Sequence, residues 1–270
     1  MPELPEVETI ARGLQQRITG DVIESIWLGS KPEPLKSSAS EIAAALQARK
    51  IAAVRRSGKH IVFDLESAGN KKRNAQWIVH LGMTGSLVVC TPDSDREKHT
   101  HAVLQLASGR ELRFVDPRRF GRLSVIERFA APGAEPLEIS FEDFAKLFRS
   151  RKTPIKSALL NQGLLSGVGN IYADEALFRA AIRPRRRAAS LTRDDLRKLH
   201  QALKRVLKEA IRHGGSSISN YVDSNGDEGS FQIKHRVYGR EGKPCFVCKT
   251  PIKRIVIAGR SSHYCPKCQK

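Results

Sequence analysis

The chain reads as an α+β protein in three parts. A first half of short strands behind one helix forms an antiparallel sandwich or barrel, a helical second half follows, and a four-cysteine segment closes it. Three observations predict this. Between Ile23 and Ile126 apolar runs of strand length alternate with polar turns. Beyond the turn-rich stretch 129–136 the apolar spacing becomes helical. Cys245-x2-Cys248 and Cys265-x2-Cys268 stand sixteen residues apart, the spacing of a zinc ribbon or finger. The expected domains are therefore 1–130, 131–240 and 241–270.

In order along the chain, Val7, Ile10, Leu14 and Ile18 recur at helical spacing, so a helix over 5–18 is expected, stopped by Gly20. Strands are expected around Ile61/Phe63/Leu65 and over 77–81, 87–89, 103–106, 112–115 and 123–126. The Ala-rich segment 41–48, preceded by Ser40, interrupts them as a second helix. Segments 141–148, 155–160 and 171–180 look helical. The clearest helix lies between Thr192 as N-cap and Gly214-Gly215 as stop, with Leu196, Leu199, Leu203, Val206, Leu207 and Ile211 on one face. Residues 252–258 and 261–264 read as two strands around a Gly259 turn. The polar segment 216–230 is too long for a mere connector and is a candidate binding loop. Asp223, Asn225, Asp227 and Glu228 within it do not make an EF-hand, because position six is not Gly and position twelve is Lys234.

Charge is divided unevenly. Residues 1–145 carry 20 Lys/Arg against 19 Asp/Glu, while residues 146–270 carry 27 against 9. One half is balanced and the other is a polycation of net +18, which points to a partner dense in phosphates, DNA or RNA before an anionic membrane. No apolar run is long enough to span a bilayer, and the acidic, Pro-containing start is no signal peptide, so a cytoplasmic protein is expected. In that reducing compartment Cys245, Cys248, Cys265 and Cys268 are read as ligands of one structural zinc rather than as two disulfides. Cys90 stands apart and reads as a small core residue.

The opening Met1-Pro2-Glu3-Leu4-Pro5-Glu6 carries the sharpest chemistry. Removal of Met1 would leave Pro2 with a secondary amine, and an α-amino group titrates near about 7.7–8.0, so a fraction is nucleophilic at neutral pH. Attack on a sugar aldehyde carbon would give an iminium, the electron sink of Schiff-base enzymes. Glu3 and Glu6 would put carboxylates beside it for proton transfer. The same residues also suit a plain helix start, with Pro in the first turn and acids at the positive end of the dipole. Further on, Gly167-Val168-Gly169-Asn170 ends at a helix N-terminus, where free N–H groups favour a phosphate, although a simple helix–turn–helix corner accounts for it equally.

Six ordered motifs, covering essentially the whole chain, resemble the formamidopyrimidine-DNA glycosylase family of bacterial base-excision repair enzymes. They are the opening Pro-Glu-Leu-Pro-Glu-Val-Glu-Thr, Gly58-Lys59-His60, His80-Leu81-Gly82-Met83-Thr84-Gly85, Asp116-Pro117-Arg118-Arg119-Phe120-Gly121, Gly167-Val168-Gly169-Asn170-Ile171-Tyr172, and the finger from Arg260 to Gln269. Leu4 favours the purine-directed branch, since the endonuclease VIII-like sister family opens Pro-Glu-Gly-Pro-Glu. The resemblance implies a β-sandwich flanked by helices, a helix–two-turn–helix domain and a zinc-finger hairpin. It implies a monomeric glycosylase and AP lyase that excises 8-oxoguanine and formamidopyrimidines from double-stranded DNA and nicks the strand by β,δ-elimination. It assigns a catalytic set of Pro2 as nucleophile, Glu3 as general acid/base, Lys59 contacting a phosphate and assisting catalysis, and Arg260 on a phosphate flanking the lesion, with Glu6 in support of that site. Met83, Arg118 and Phe120 would fill the gap left by the extruded nucleotide, although Met83 and Phe120 suit an ordinary core as well. His80 and Asn170 would contact the backbone, as would Lys156 and Tyr238, although each of these two suits a solvated surface position equally, and the 216–230 loop would cover the extruded base. Trp77 and the basic turn Lys71-Lys72-Arg73 are local variation. The alternative from another class is a non-catalytic DNA- or RNA-binding protein.

Overall fold

The computed structural model describes residues 1–67, 75–217 and 228–270. Lys71-Lys72-Arg73, Asp223, Asn225 and Asp227 lie outside the described residues. Two compact units divide the chain: Met1–Ala130 with Gly214–Gly229, and Ala131–His213 with Ser230–Lys270. No helix among the described residues is long and apolar enough to cross a membrane.

The first unit opens with α1 (Leu4–Ile18), whose Val7, Ile10, Leu14 and Ile18 enter the core as their spacing requires. Eight strands follow: β1 (Val22–Leu28), β2 (Arg49–Ser57), β3 (His60–Ser67), β4 (Ala75–His80), β5 (Ser86–Cys90), β6 (Thr100–Leu106), β7 (Glu111–Val115) and β8 (Arg122–Ile126). They form one antiparallel sheet in the order β5-β7-β6-β1-β2-β3-β4-β8. The sheet curls over its own core. Phe114 of β7 packs so closely on Gly121 at the start of β8, at the far end of the strand order, that a Cβ there would come within 2.5 Å of its ring. Trp77 is fully buried and faces Phe63 across the β3–β4 ladder, with ring centroids 4.7 Å apart.

Sequence spacing misses β1 and β2, where Glu24, Arg49, Lys50, Arg55 and Arg56 break the apolar runs. The second helix, α2 (Ala39–Leu46), starts earlier than expected. Ser38, not Ser40, is its cap, because Glu41 then stands at N3 and closes a capping box with it. Cys90 is only half-buried at the end of β5, and burial still pushes its thiol upward.

The second unit holds α3 (Phe141–Phe148), α4 (Ile155–Leu160), α5 (Asn170–Arg179) and α6 (Arg193–Arg212). Thr192 caps α6, accepting from Asp195 N–H at 3.1 Å, and Leu196, Leu199, Leu203, Val206 and Leu207 are buried. The chain ends in the hairpin β9 (Lys253–Ile257) and β10 (Arg260–Tyr264). Its two-residue turn places Ala258 and Gly259 at φ 47° and 72°, the positive pair of a type I′ turn.

Candidate active site and nucleic-acid interface

In the first unit Pro2, Glu3 and Glu6 are buried at the mouth of α1. Glu6 spends its two oxygens on two backbone segments. Oε2 accepts from Glu3 N–H at 2.8 Å, and Oε1 accepts from Ser216 N–H at 2.8 Å. Gly215, at φ 81°, lies so near that carboxylate that a Cβ would come within 2.7 Å of Oε1, so only glycine fits there. Met1 is exposed, and while it remains attached the Pro2 nitrogen is an amide.

Lys59 is buried in the two-residue turn between Ser57 and His60, where Gly58 takes φ 59° as a type II′ turn requires. That turn is fastened to α1. Arg56 donates to Gly58 O at 3.1 Å and pairs with Glu8 at 2.7 Å. Burial alone would raise the Glu8 carboxyl, but the bonds and charges of Arg56 and Arg12 outweigh it and hold the group below its usual range.

Three of the sequence motifs meet at one end of adjacent strands. His60 opens β3, pairs with His80 at the end of β4, and His80 pairs with Arg122 at the start of β8. The His60 and His80 rings lie 4.9 Å apart. Burial first, then the charges of His60, Arg122 and Lys59, pushes the His80 imidazole down to about 4. Its Nδ1 accepts from Gly82 N–H at 3.1 Å, which leaves Nε2–H as the donor. Beyond His80 the chain turns through Gly82, and Met83 is 44% exposed. Beyond β7 it turns through Arg118 and Phe120, where Phe120 is 52% exposed and the Arg118 guanidinium lies 4.8 Å over its ring. Large apolar groups held out at turns are not core.

In the second unit the α5 N-terminus and the hairpin share a junction. Asn170 Nδ2 donates to Ser261 Oγ at 3.3 Å, and the exposed Arg260 is the next residue along β10. Two neighbouring carboxylates on α5 fix the chain entering and leaving this region. Glu175 accepts from the N–H groups of Arg236, Val237 and Tyr238 at 2.9–3.0 Å, and Asp174 accepts from His263 N–H at 2.8 Å. The Tyr238 ring meets His263 edge-on at 5.2 Å. Lys156 departs from expectation. Its side chain is fully enclosed, its ammonium paired with Asp174 at 2.6 Å and donating to Ser261 O at 2.6 Å. An ammonium so placed holds the hairpin to α4 and α5 rather than meeting a phosphate. Spacing alone does not reveal it, because its partner lies eighteen residues on in another helix.

The four cysteine sulfurs lie within 4.8 Å of one another, with Cys245–Cys268 at 3.9 Å and Cys248–Cys265 at 3.4 Å. Sulfurs at about 2.3 Å around a tetrahedral zinc would stand roughly 3.8 Å apart, so the set fits that ion. Gln269 secures the second knuckle, accepting from Cys265 N–H at 2.8 Å and donating to Ile182 O at 2.8 Å.

Comparison with known proteins accounts for nearly every segment. The formamidopyrimidine-DNA glycosylase N-terminal domain matches residues 1–123, the H2TH domain of the same enzymes matches 132–222, and the zinc finger found in FPG and IleRS matches 242–270. The chain belongs to the formamidopyrimidine-DNA glycosylase family. The formamidopyrimidine-DNA glycosylase of Solibacter usitatus is 48% identical over 280 residues, covering all of both chains. The crystal structure of MutM (Fpg) from Thermus thermophilus is 41% identical with a TM-score of 0.86, covering 99% of this chain and 98% of that one. A Lactococcus lactis Fpg mutant in complex with Fapy-dG-containing DNA is 33% identical with a TM-score of 0.90 over 100% of each chain. Within this DNA glycosylase family the four cysteines hold one structural zinc, with no coordination position left open. Sequence reasoning missed three residues that position the formamidopyrimidine-DNA glycosylase motifs: Asp116, Asp174 and Glu175. Each is a carboxylate with at least one donor far away in sequence, and of the three only Asp116 stands inside a motif already singled out.

Proposed function

We propose that the protein is a bifunctional glycosylase and AP lyase that removes oxidised purines, 8-oxoguanine and formamidopyrimidines, from duplex DNA. The observation that carries the reading is the buried cluster at the α1 mouth, where Glu6 ties the Glu3 segment to the root of the 216–230 loop. A plain helix start accounts for the bond from Glu3 N–H to Glu6, which is half of a capping box, but not for the second Glu6 oxygen, which accepts from Ser216 N–H far along the chain.

Once Met1 is removed, the Pro2 nitrogen attacks C1′ of the damaged nucleoside, and the C1′–N bond to the base breaks as Glu3 delivers and accepts protons. Glu3 then protonates O4′, the C1′–O4′ bond breaks and the open-chain iminium forms. The iminium drains electrons from C2′, so loss of a C2′ proton expels the 3′ phosphate, and loss of a C4′ proton expels the 5′ phosphate. Lys59 and Arg260 neutralise phosphate charge at the reacting sugar, and His80, Asn170 and Tyr238 grip the flanking backbone. Met83, Arg118 and Phe120 occupy the space of the extruded nucleotide, recovering part of the few kcal/mol that unstacking costs. The domains follow as 1–130 for chemistry, 131–240 for the duplex and loop, and 241–270 for the finger. The enzyme acts as a monomer in the cytoplasm. Borohydride reduction during turnover of an 8-oxoguanine duplex tests the reading: it should join protein and DNA covalently and irreversibly. A protein that only binds DNA gives no adduct and releases no base.

A further inference from the structure

Asp116 lies at the end of β7, fully buried, and its carboxylate is shared between two turns. Oδ1 accepts from the Thr84 hydroxyl at 2.6 Å and from Arg118 N–H at 3.3 Å, and Oδ2 accepts from Gly121 N–H at 2.7 Å. Thr84 follows Met83 in one turn, whereas Arg118 and Gly121 bracket Phe120 in the other. The two turns also touch through the backbone. A Cβ on Gly82 would come within 2.5 Å of Phe120 C, and Gly82 sits at φ 65°. Asp116 is itself held from behind, since its N–H donates to His99 O at 2.9 Å and its carbonyl lies 2.9 Å from the His101 ring nitrogen.

We infer that Asp116 is a positioning residue that locks the Met83 turn and the Arg118–Phe120 turn into one rigid wedge before DNA arrives. The inference rests on the proposed function, in which those three side chains fill the gap of an extruded nucleotide. Preorganisation matters because exposed apolar side chains on two independent turns would lose conformational freedom on insertion, and one shared carboxylate removes that cost beforehand. Asp116 touches neither sugar nor base, so its effect should appear only where there is a gap to fill and an orphan base to meet.

The experiment compares excision of 8-oxoguanine paired in a duplex with excision of the same lesion opposite a missing nucleotide. Asp116→Ala leaves three donors unmatched and should slow excision from the paired duplex roughly 10- to 100-fold. On the substrate with no orphan base it should stay within about 3-fold of wild type. Asp116→Asn keeps an acceptor for Gly121 and can donate to Thr84 Oγ1, so it should restore most of the paired rate. Thr84→Val frees only the Met83 turn and tests the same idea if Asp116→Ala fails to fold, with a loss of roughly 5- to 10-fold on the paired duplex alone. Equal losses on both substrates would make Asp116 merely structural, and no loss on either would remove the wedge lock; both overturn the inference while the glycosylase reading stands. A wild type that releases no base from either substrate sinks the reading and this inference with it.

Discussion

The two units hold their functional side chains by different means. In the first, the groups assigned to chemistry lie within one helix mouth and at one end of β3, β4 and β8, joined by short turns and by carboxylates that accept backbone N–H groups. In the second, the groups assigned to phosphates are carried by a hairpin and a helix start that are fastened by a buried ion pair and a metal. The difference follows the charge. The first unit, with 20 cations and 18 anions, can pack its reactive residues densely, whereas the second, with 27 against 10, must keep its cations apart and pin the elements beneath them.

If the metal pins the second unit, removing it should have the largest effect of all. Structural zinc contributes about 10–16 kcal/mol to folding of such fingers. A strong chelator, or Cys265→Ser, should unfold the hairpin and abolish duplex binding while the first unit keeps its melting transition; elemental analysis of the intact protein should give about one zinc per chain. Normal incision by Cys265→Ser would remove the finger from the DNA-holding part. The ion pair comes next. Asp174→Ala strands the enclosed Lys156 ammonium and should destabilise the second unit by about 3–5 kcal/mol in denaturant unfolding. Lys156→Met combined with Asp174→Leu should recover most of that, because two apolar groups leave no buried charge.

Each unit also carries one imidazole pushed down to about 4, mainly by burial: His80 in the first and His235 in the second. Their folded values lie below the ordinary 6.5, so the unfolded chain takes up protons first as pH falls. Stability should be complete above about pH 6.5 and be lost progressively toward pH 4, by at most roughly 3 kcal/mol per histidine. His80→Gln should flatten that slope for the first unit alone and His235→Gln for the second alone, as read by two-probe unfolding across pH. Identical flattening by either variant would mean that the units do not respond separately.

The smallest effects separate grip from wedge. Arg260→Ala should lower the log–log salt slope of duplex affinity by roughly 0.9, and Asn170→Ala should weaken damaged and undamaged duplex alike. Met83→Ala should leave undamaged binding unchanged, and equal losses on both duplexes would return Met83 to a packing role.

Much of this was legible in the sequence, and what was not has a physical cause. α3 and α4 fall where their apolar spacing puts them, and the cysteine spacing identifies the metal set before any coordinates. β1 and β2 escaped because charged residues interrupt their alternation while the sheet buries only parts of each strand. Lys156 was expected at a phosphate because one cation looks like another in sequence. Its burial depends on Asp174, a partner set by how α4 and α5 pack. Asp116 was read only as part of a motif, since nothing in one dimension shows a carboxylate reaching back thirty-two residues to Thr84.

The central claim is that the reacting group is the amine of Pro2, and borohydride trapping on a preformed abasic duplex tests it most directly. Protein lacking Met1 should be captured as a covalent adduct. Glu3→Gln and Pro2→Gly should be captured less, the latter through a primary amine. Protein that retains Met1, verified by intact mass, should bind the duplex and give no adduct, because an acylated proline nitrogen has no lone pair to offer. An adduct from the Met1-retained protein would contradict the account and move the nucleophile to a lysine, with Lys59 the first to replace.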